Sequence, residues 1–417
     1  MARGGASMKQ LPLKGVRVAD LTMMWAGPYA TRVLAEMGAE VIKIESPRSW
    51  DNIRTLIPQP DKTDPWNSSY YFNDYNRDKK SLTLDLSMAR GRELFLQLVK
   101  RCDVVIENYR ADVLEKLGLT YDVLKSARED IILVSMGGFG HTGSERGHVG
   151  FGPIIEQMSG LTSLSGYGDD GIPFKTGISY GDPIAGLAAA SAVALALIKR
   201  HKTGKGTYVD LPQRETMSTM SGEKFVAASM RGEEPVHYGA RSPRWAPQGV
   251  YRCKGEEQWL AISCRTDQEW RSLTSLLARP DLADLTLEQR RTRQDELDIV
   301  IGAWAAEQDA FGAMMQLQSM KVPAGRVLDS DNIHRDPQLA TRGYWVELPH
   351  PRMTPWKQPS ASWRLQEANP QLRNHAPLFG QHNDEILQGL LGLTAAERAQ
   401  LADEGVIGTE PVNPGIG

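Results

Sequence analysis

The chain has 417 residues, of which 41% are hydrophobic and 24% are charged, and its formal net charge is −3. At roughly 100 to 200 residues per domain, this length predicts two domains with cores of their own. The nearly balanced charge gives no basis for a nucleic-acid partner. The three cysteines, Cys102, Cys253 and Cys264, form neither a CxxC pair nor an even-numbered disulfide framework. They predict a reducing compartment, which we take to be the cytoplasm, and buried thiols.

Two further features bear on targeting and on membranes. Residues 1–8 contain no apolar stretch after their charge, which predicts that no targeting segment is present. The longest apolar run, residues 183–198, is shorter than the roughly 20 residues that a membrane span requires. We therefore expect no membrane partner and interpret this run as a buried helix.

The first 200 residues alternate short apolar strands with amphipathic helices. Strands are predicted at 16–21, 40–45, 104–107 and 131–135, and helices at 29–36, 88–100 and 113–117. This alternation predicts an α/β fold with a Rossmann-like, mostly parallel sheet that is covered on both faces. The turn after the first strand, residues 22–28, lacks the GxGxxG spacing of a dinucleotide site. Neither NAD nor a flavin is therefore expected as a cofactor.

The pattern changes after Gln213. Residues 213–230 look helical, residues 249–253 and 258–264 look like a strand pair, and helices are predicted at 267–277 and 286–308. We therefore divide the chain into a large domain that begins with residues 1–224, a smaller α+β domain at 225–330, and a C-terminal segment at 331–417.

The segment before the apolar run is the most informative part of the chain. Asp182 and Pro183 precede it, and this order is typical of a helix N-cap followed by the first helical residue. Basic residues at 199–202 and Gly204 predict the C-terminal end. Asp182 has two interpretations: it is a structural cap, or it is a nucleophilic carboxylate at the positive end of the helix dipole.

Several motifs in shared order resemble those of the family III CoA-transferases, the formyl-CoA and carnitine CoA-transferase type. The resemblance extends along nearly the whole chain, and it is carried by residues 13–20, 26–28, 37–45, 76–85, 103–108, 181–182, 202–206, 322–325 and 376–382.

The resemblance implies that Asp182 is the acyl-accepting nucleophile. It also places CoA contacts at Trp25, Ala26, Leu84, Asp85, Leu86, Asn108, Tyr109, Arg110, Lys116, Phe151 and Gly152. Arg110 and Lys116 could meet phosphates, although such cations are as often plain surface residues. The implied substrates are an acyl-CoA donor and a carboxylic acid acceptor. The histidine and cysteine spacings suggest no metal site.

The resemblance further implies an interlocked homodimer, with residues 331–417 returning to the large domain. Trp25, Met23, Met24 and Trp245 suggest an acyl group that is larger and more apolar than formyl or oxalyl. Two alternatives stay open. An α-methylacyl-CoA racemase shares the fold and the aspartate but needs a second base, and this chain has Phe151 at that position with His148 three residues earlier. A non-catalytic CoA-binding subunit of a mixed assembly is the other alternative.

Overall fold

The computed structural model describes residues 10–57, 64–167, 172–232 and 237–412. Residues 1–9, where no targeting segment is predicted, lie outside the described residues. The chain divides into two compact units, one from the ranges 1–161, 176–226 and 338–417 and the other from 162–175 and 227–337. The sequence predicts boundaries at 225 and 330 and places 162–175 in the large domain, whereas the described residues of this segment group with the second unit.

A six-stranded parallel sheet forms the centre of the first unit, in the order β3-β2-β1-β4-β5-β6. Its strands are β1 Arg17–Asp20, β2 Glu40–Glu45, β3 Lys79–Thr83, β4 Val104–Glu107, β5 Ile132–Ser135 and β6 Thr207–Asp210. This is the strand order of the Rossmann fold, and the predicted fold class is confirmed. The order reverses between the neighbours β1 and β4, which is where such sheets bind ligands at their carboxyl edge.

Helices cover both faces of this sheet. The α-helices between residues 26 and 231 are α1 Ala26–Glu36, α2 Tyr70–Tyr75, α3 Ala89–Val99, α4 Asp112–Lys116, α5 Tyr121–Ala127, α6 Gly152–Met158, α7 Gly181–Thr203, α8 Gln213–Ser218 and α9 Gly222–Arg231, and α9 crosses the boundary between the two units. Along β4, Val104 and Ile106 pack with α1 and α7, whereas Val105 packs with α3 on the opposite face. Burial on both faces explains the continuous apolar run Val104–Ile106 in β4.

The second unit contains a three-stranded antiparallel sheet with β8 between β7 and β9. Its elements are β7 Gln248–Arg252, β8 Trp259–Ser263, α10 Asp267–Leu276, α11 Leu287–Thr292, α12 Gln294–Ala306, α13 Ala310–Ser319, β9 Ala324–Arg326 and α14 Ser330–His334. The predicted strand pair is confirmed. The single helix predicted at 286–308 is wrong, because the backbone of Arg293 leaves the helical conformation (φ −101°, ψ 19°) and separates α11 from α12.

The C-terminal part of the chain packs against the amino-terminal sheet. Its elements are α15 Pro337–Thr341, β10 Trp345–Glu347, β11 Lys357–Pro359, α16 Asn383–Gly389 and α17 Ala395–Asp403. The Asn383 side chain accepts a hydrogen bond from the Thr83 N–H at 2.8 Å, and Ile386 and Leu401 join the core on the α3 face.

Helix α7 is longer than its apolar run. It ends with Arg200, His201 and Lys202 in its last turn and a left-handed Gly204 at φ 69°, as the sequence predicts. By length and composition alone it could cross a membrane, a test that core helices of soluble proteins also pass. Its buried alanines pack against α1. All three cysteines are buried and free, as predicted.

Candidate active site

The candidate site lies at the carboxyl edge of the parallel sheet. Helix α1 connects β1 to the parallel β2, so its first residues lie at that edge, as do the residues that follow β3 and β4. Helix α7 ends four residues before β6 begins, so its N-terminus also lies towards the carboxyl edge. The topology therefore brings Asp182 to the same edge as the predicted CoA contacts that follow the strands.

Asp182 lies in the first turn of α7 and is not its N-cap. The N-cap is Tyr180, so the predicted capping role of Asp182 is wrong. The misassignment has a physical reason: Pro183 lacks an N–H, and none of the first-turn N–H groups has an intrahelical partner, so proline fits several of these positions equally well. The position still places the carboxylate at the positive end of the helix dipole, which favours its ionised form.

The start of α6 forms one wall beside this carboxylate. Gly152 is buried, and a Cβ at this position would lie 2.1 Å from Oδ2 of Asp182 and 2.6 Å from Cβ of Ser179. Only glycine, which has no Cβ, leaves room for the Asp182 carboxylate in its observed position. The preceding residue, Phe151, is the N-cap of α6 and is 55% exposed.

Close packing of α1 against α7 fixes a second wall. A Cβ at Gly186 would lie 2.7 Å from the Ala26 carbonyl oxygen and 2.8 Å from Cδ1 of Tyr29. Residues four apart on a helix share a face, so Asp182 lies one turn before this contact. The site therefore combines Asp182 with the beginning of α1, where Trp25 is the N-cap and Ala26 is buried.

An aromatic cluster adjoins this wall and was missed by sequence reasoning. The Trp25 ring centroid lies 5.8 Å from that of Tyr71 and 5.7 Å from that of Tyr75. Burial raises the pKa of the Tyr71 phenol, and the negative charge of Asp182 raises it further, so this phenol is close enough to sense the carboxylate. The signal in the sequence was the aromatic pair Tyr71 and Tyr75 at helical spacing in a short helix.

The residues after β3 are in the core of the first unit. The side chains of Leu84 and Leu86 are buried, and Asp85 accepts hydrogen bonds from the Ser87 N–H at 2.9 Å and hydroxyl at 2.6 Å. Their predicted role as CoA contacts stays a prediction.

The residues after β4 divide into two groups. The Asn108 side chain accepts from the Met23 N–H at 2.8 Å and donates to the Met23 carbonyl at 2.8 Å, so it joins the turns after β1 and β4. Arg110 and Lys116 lie on the surface and both contact the Asp112 carboxylate, at 2.6 Å and 2.5 Å. The Asp112 carboxylate brings the two cations together, and it also neutralises part of the positive charge of Arg110 and Lys116. Tyr109 is half-buried against the core.

A third group of ionisable side chains lies at the ends of β4 and β6. The His141 ring lies between two carboxylates, with Nδ1 3.3 Å from Asp210 and Nε2 3.7 Å from Glu107. Burial raises the pKa of Glu107 to about 7. Among the described residues, no group of three or more His, Cys, Asp or Glu side chains is arranged to hold a metal ion.

Comparisons with known proteins identify the family of this chain. Residues 13–383 match the CoA-transferase family III, and the chain belongs to this family. It is 31% identical to the succinyl-CoA–L-malate CoA-transferase alpha subunit of Chloroflexus aurantiacus, over 98% of this chain and 95% of that protein. It is 32% identical to the succinyl-CoA:mesaconate CoA-transferase of Haloarcula marismortui, over 90% of this chain and 95% of that protein.

A solved structure shows the same fold. A CaiB/BaiF family protein from Brucella suis superposes with a TM-score of 0.84 at 30% identity, over 92% of this chain and all of that one. The protein is therefore an enzyme, a CoA-transferase whose substrates are CoA thioesters.

Proposed function

We propose that CoA transfer proceeds through covalent intermediates on Asp182. The carboxylate attacks the acyl-CoA thioester, which forms a mixed anhydride and releases CoA thiolate. The thiolate then attacks the aspartyl carbonyl, which yields an aspartyl-CoA thioester and the free acid of the donor. The acceptor carboxylate attacks the carbonyl of this thioester, which forms a second mixed anhydride and releases CoA thiolate again. The thiolate then attacks the acceptor's carbonyl carbon, which yields the new acyl-CoA and frees the Asp182 carboxylate.

The observation that carries this proposal is the position of the Asp182 carboxylate. It lies in the first turn of α7, against the bare Cα of Gly152, and close enough to Tyr71 to raise the pKa of that phenol. The helix dipole favours the carboxylate anion that must attack. The Trp25 Nε1 is buried and has no hydrogen-bond partner among the described residues.

We further propose an acyl group larger than formyl or oxalyl, whose carbon chain packs against Trp25 and Tyr71. The two aromatic rings lie edge to face and present apolar surface near Asp182. The named substrates of the two relatives, succinyl-CoA, malate and mesaconate, are also larger than formate. A panel of apolar, aromatic and dicarboxylic acyl-CoAs tests this part, and a preference for oxalyl-CoA would contradict it.

The racemase alternative requires a base across the α-carbon from the aspartate. Phe151 offers no such group, and the exposed His148 ring packs edge-on against Phe139 with 5.7 Å between centroids. We therefore propose transfer and not racemisation. Deuterium wash-in at the α-carbon in the absence of an acceptor acid would favour the racemase.

We also propose a cytoplasmic homodimer, interlocked as the resemblance implies. Exposed apolar side chains on α7, with Leu195 67% and Ile198 52% exposed, support burial against a second chain. The Chloroflexus relative is named an alpha subunit, which makes a paralogous partner the alternative. Analytical ultracentrifugation and activity of the chain purified alone distinguish a homodimer from a subunit that is inactive without its partner.

The experiment that tests the mechanism is exchange of CoA between an acyl-CoA and a labelled acid, with Asp182→Asn and Asp182→Ala as variants. Loss of exchange in both correctly folded variants is expected. Exchange at the wild-type rate in Asp182→Ala would contradict the mechanism.

A further inference from the structure

The turn between β1 and α1 has an unusual backbone. Met24 adopts φ 66°, in the left-handed region that residues other than glycine rarely occupy. Trp25 follows directly and caps α1, so the direction of this turn determines where its indole lies. A strained residue beside a site has to be held in place by its surroundings.

Three side chains from three different segments hold the turn. Lys43 in β2 donates from Nζ to the Thr22 carbonyl at 2.7 Å. Asn108, after β4, binds both the N–H and the carbonyl of Met23 at 2.8 Å. Asp51, after β2, accepts from the Met24 N–H at 2.9 Å through Oδ1. Three consecutive residues of the turn are therefore each fixed by a separate side chain.

We call Lys43, Asp51 and Asn108 together the clamp of this turn. Two of them, Lys43 and Asp51, form an ion pair inside the protein. Lys43 Nζ lies 2.8 Å from Oδ2 of Asp51, and both side chains are fully buried. Burial by itself would lower the pKa of Lys43, but the carboxylates of Asp51, Asp20 and Glu45 outweigh it and raise the pKa. Replacing a buried ion pair with apolar side chains often leaves stability unchanged or improves it. Stability alone therefore does not require this pair.

The clamp also changes the interpretation of Asn108. The sequence predicts a CoA contact for Asn108, whereas the structure shows its amide bonded to the Met23 N–H and carbonyl. These bonds connect Asn108 to the turn and to Trp25, whose ring packs against that of Tyr71.

We propose that Lys43, Asp51 and Asn108 are positioning residues that hold the turn Thr22–Met24, and thereby Trp25, in the geometry needed for thioester transfer to Asp182. This inference rests on the proposed role of Asp182. It assigns no contact with substrate to the clamp. Loosening the clamp lets Trp25 move relative to the carboxylate, and misplacement of about 1 Å can cost roughly 100-fold in rate.

Three variants test the clamp against one common control. Asn108→Ala removes both bonds to Met23, Lys43→Met removes the ammonium at similar length, and Asp51→Asn keeps an acceptor but removes the charge. Glu36→Gln is the control, because Glu36 also belongs to a buried ion pair, with Arg77 at 3.1 Å, but lies outside the turn. The readouts are kcat and KM for the acyl-CoA and hydrogen exchange of the peptide that contains residues 22–25.

We expect kcat/KM to fall roughly 10- to 100-fold in Asn108→Ala, with faster exchange confined to the turn. Introducing Met24→Gly should recover part of this loss, because glycine occupies the left-handed region readily and needs less support. If Lys43→Met does not fold, the half-buried Asn108→Ala still decides the question.

The inference is wrong if Asn108→Ala matches Glu36→Gln in kcat/KM and in exchange at the turn. It is also wrong if Met24→Gly gives no recovery, since a direct CoA contact or a general loss of stability would not respond to that change. Failure of the wild-type protein to form any adduct on Asp182 would instead overturn the proposed mechanism, so the two failures are distinguishable.

Discussion

The carboxylate of Asp182 lies directly against the Cα of Gly152, where a Cβ would be 2.1 Å from Oδ2. Gly152→Ala must therefore displace Asp182 or the neighbouring Ser179. We expect a correctly folded protein whose kcat/KM falls about 100-fold, because the attacking oxygen is misplaced. Steady-state kinetics with circular dichroism as the folding check measures this.

Gly147→Ala is the matched control, since a Cβ there would have no heavy atom of the described residues within 4 Å. Equal activity of the two alanine variants would contradict the assigned geometry of the site.

Tyr71 and Tyr75 offer a paired test of the aromatic cluster. Burial is the main cause that raises the pKa of each phenol. At Tyr71 the charges of Asp182 and then Asp74 raise the pKa further, whereas at Tyr75 the next cause is the charge of Asp74. Phenylalanine keeps the ring and removes only the hydroxyl. We expect Tyr71→Phe to lower kcat/KM roughly tenfold, as loss of a polar contact to a charge would, and Tyr75→Phe to change it little. A larger effect at Tyr75 would count against placing Tyr71 beside the nucleophile.

The close approach of α1 and α7 predicts an effect on stability. Gly186→Ala places a Cβ 2.7 Å from the Ala26 carbonyl, which we expect to lower the free energy of unfolding by about 1 to 3 kcal/mol. At Gly302 in α12, no heavy atom of the described residues would lie within 4 Å of an added Cβ. Gly302→Ala should therefore raise the free energy of unfolding by roughly 0.5 to 1 kcal/mol. Urea denaturation measures both, and opposite signs are expected.

Glu107 predicts a specific pH dependence of stability. Burial raises its pKa from 4.5 to about 7, so the folded protein holds a proton that the unfolded chain releases between these values. Stability therefore falls as the pH rises through this window. Glu107→Gln imitates the protonated side chain, and it should exceed the wild type in free energy of unfolding by on the order of 2 kcal/mol at about pH 8 but not at about pH 5.

The exposed Glu115→Gln serves as the control for this comparison, and its stability should follow the wild type across the same range. Parallel curves for Glu107→Gln and the wild type would show that Glu107 titrates normally.

The parallel sheet was predicted well where strands are rich in valine and isoleucine. Strands β2 and β4 have the predicted bounds, 40–45 and 104–107. Strand β3 was missed because it begins with Lys79 and Lys80, and charged residues do not suggest a buried strand. Lys79 is nevertheless buried, because its ammonium pairs with Asp20 at 3.1 Å. That partner lies 59 residues away in sequence, so no local pattern could reveal it.

The sequence indicates a candidate nucleophile but not every side chain near it. Asp182 was proposed from its helix and its family motif, and its role stays a prediction, whereas Tyr71 belongs to a segment in which no motif was recognised. Asn108 was predicted as a CoA contact, and its amide bonds to Met23, 85 residues away, could not be read from spacing. The fold sets contacts between residues that are distant in sequence, so local patterns do not reveal them.

The proposed mechanism requires a covalent adduct on the Asp182 carboxylate. The decisive measurement is to mix the protein with an acyl-CoA, add hydroxylamine, and map the modified peptide by mass spectrometry. We expect a hydroxamate at Asp182 in the wild type and an unmodified peptide in Asp182→Asn. A hydroxamate at another carboxylate, or one that persists in Asp182→Asn, would contradict the mechanism.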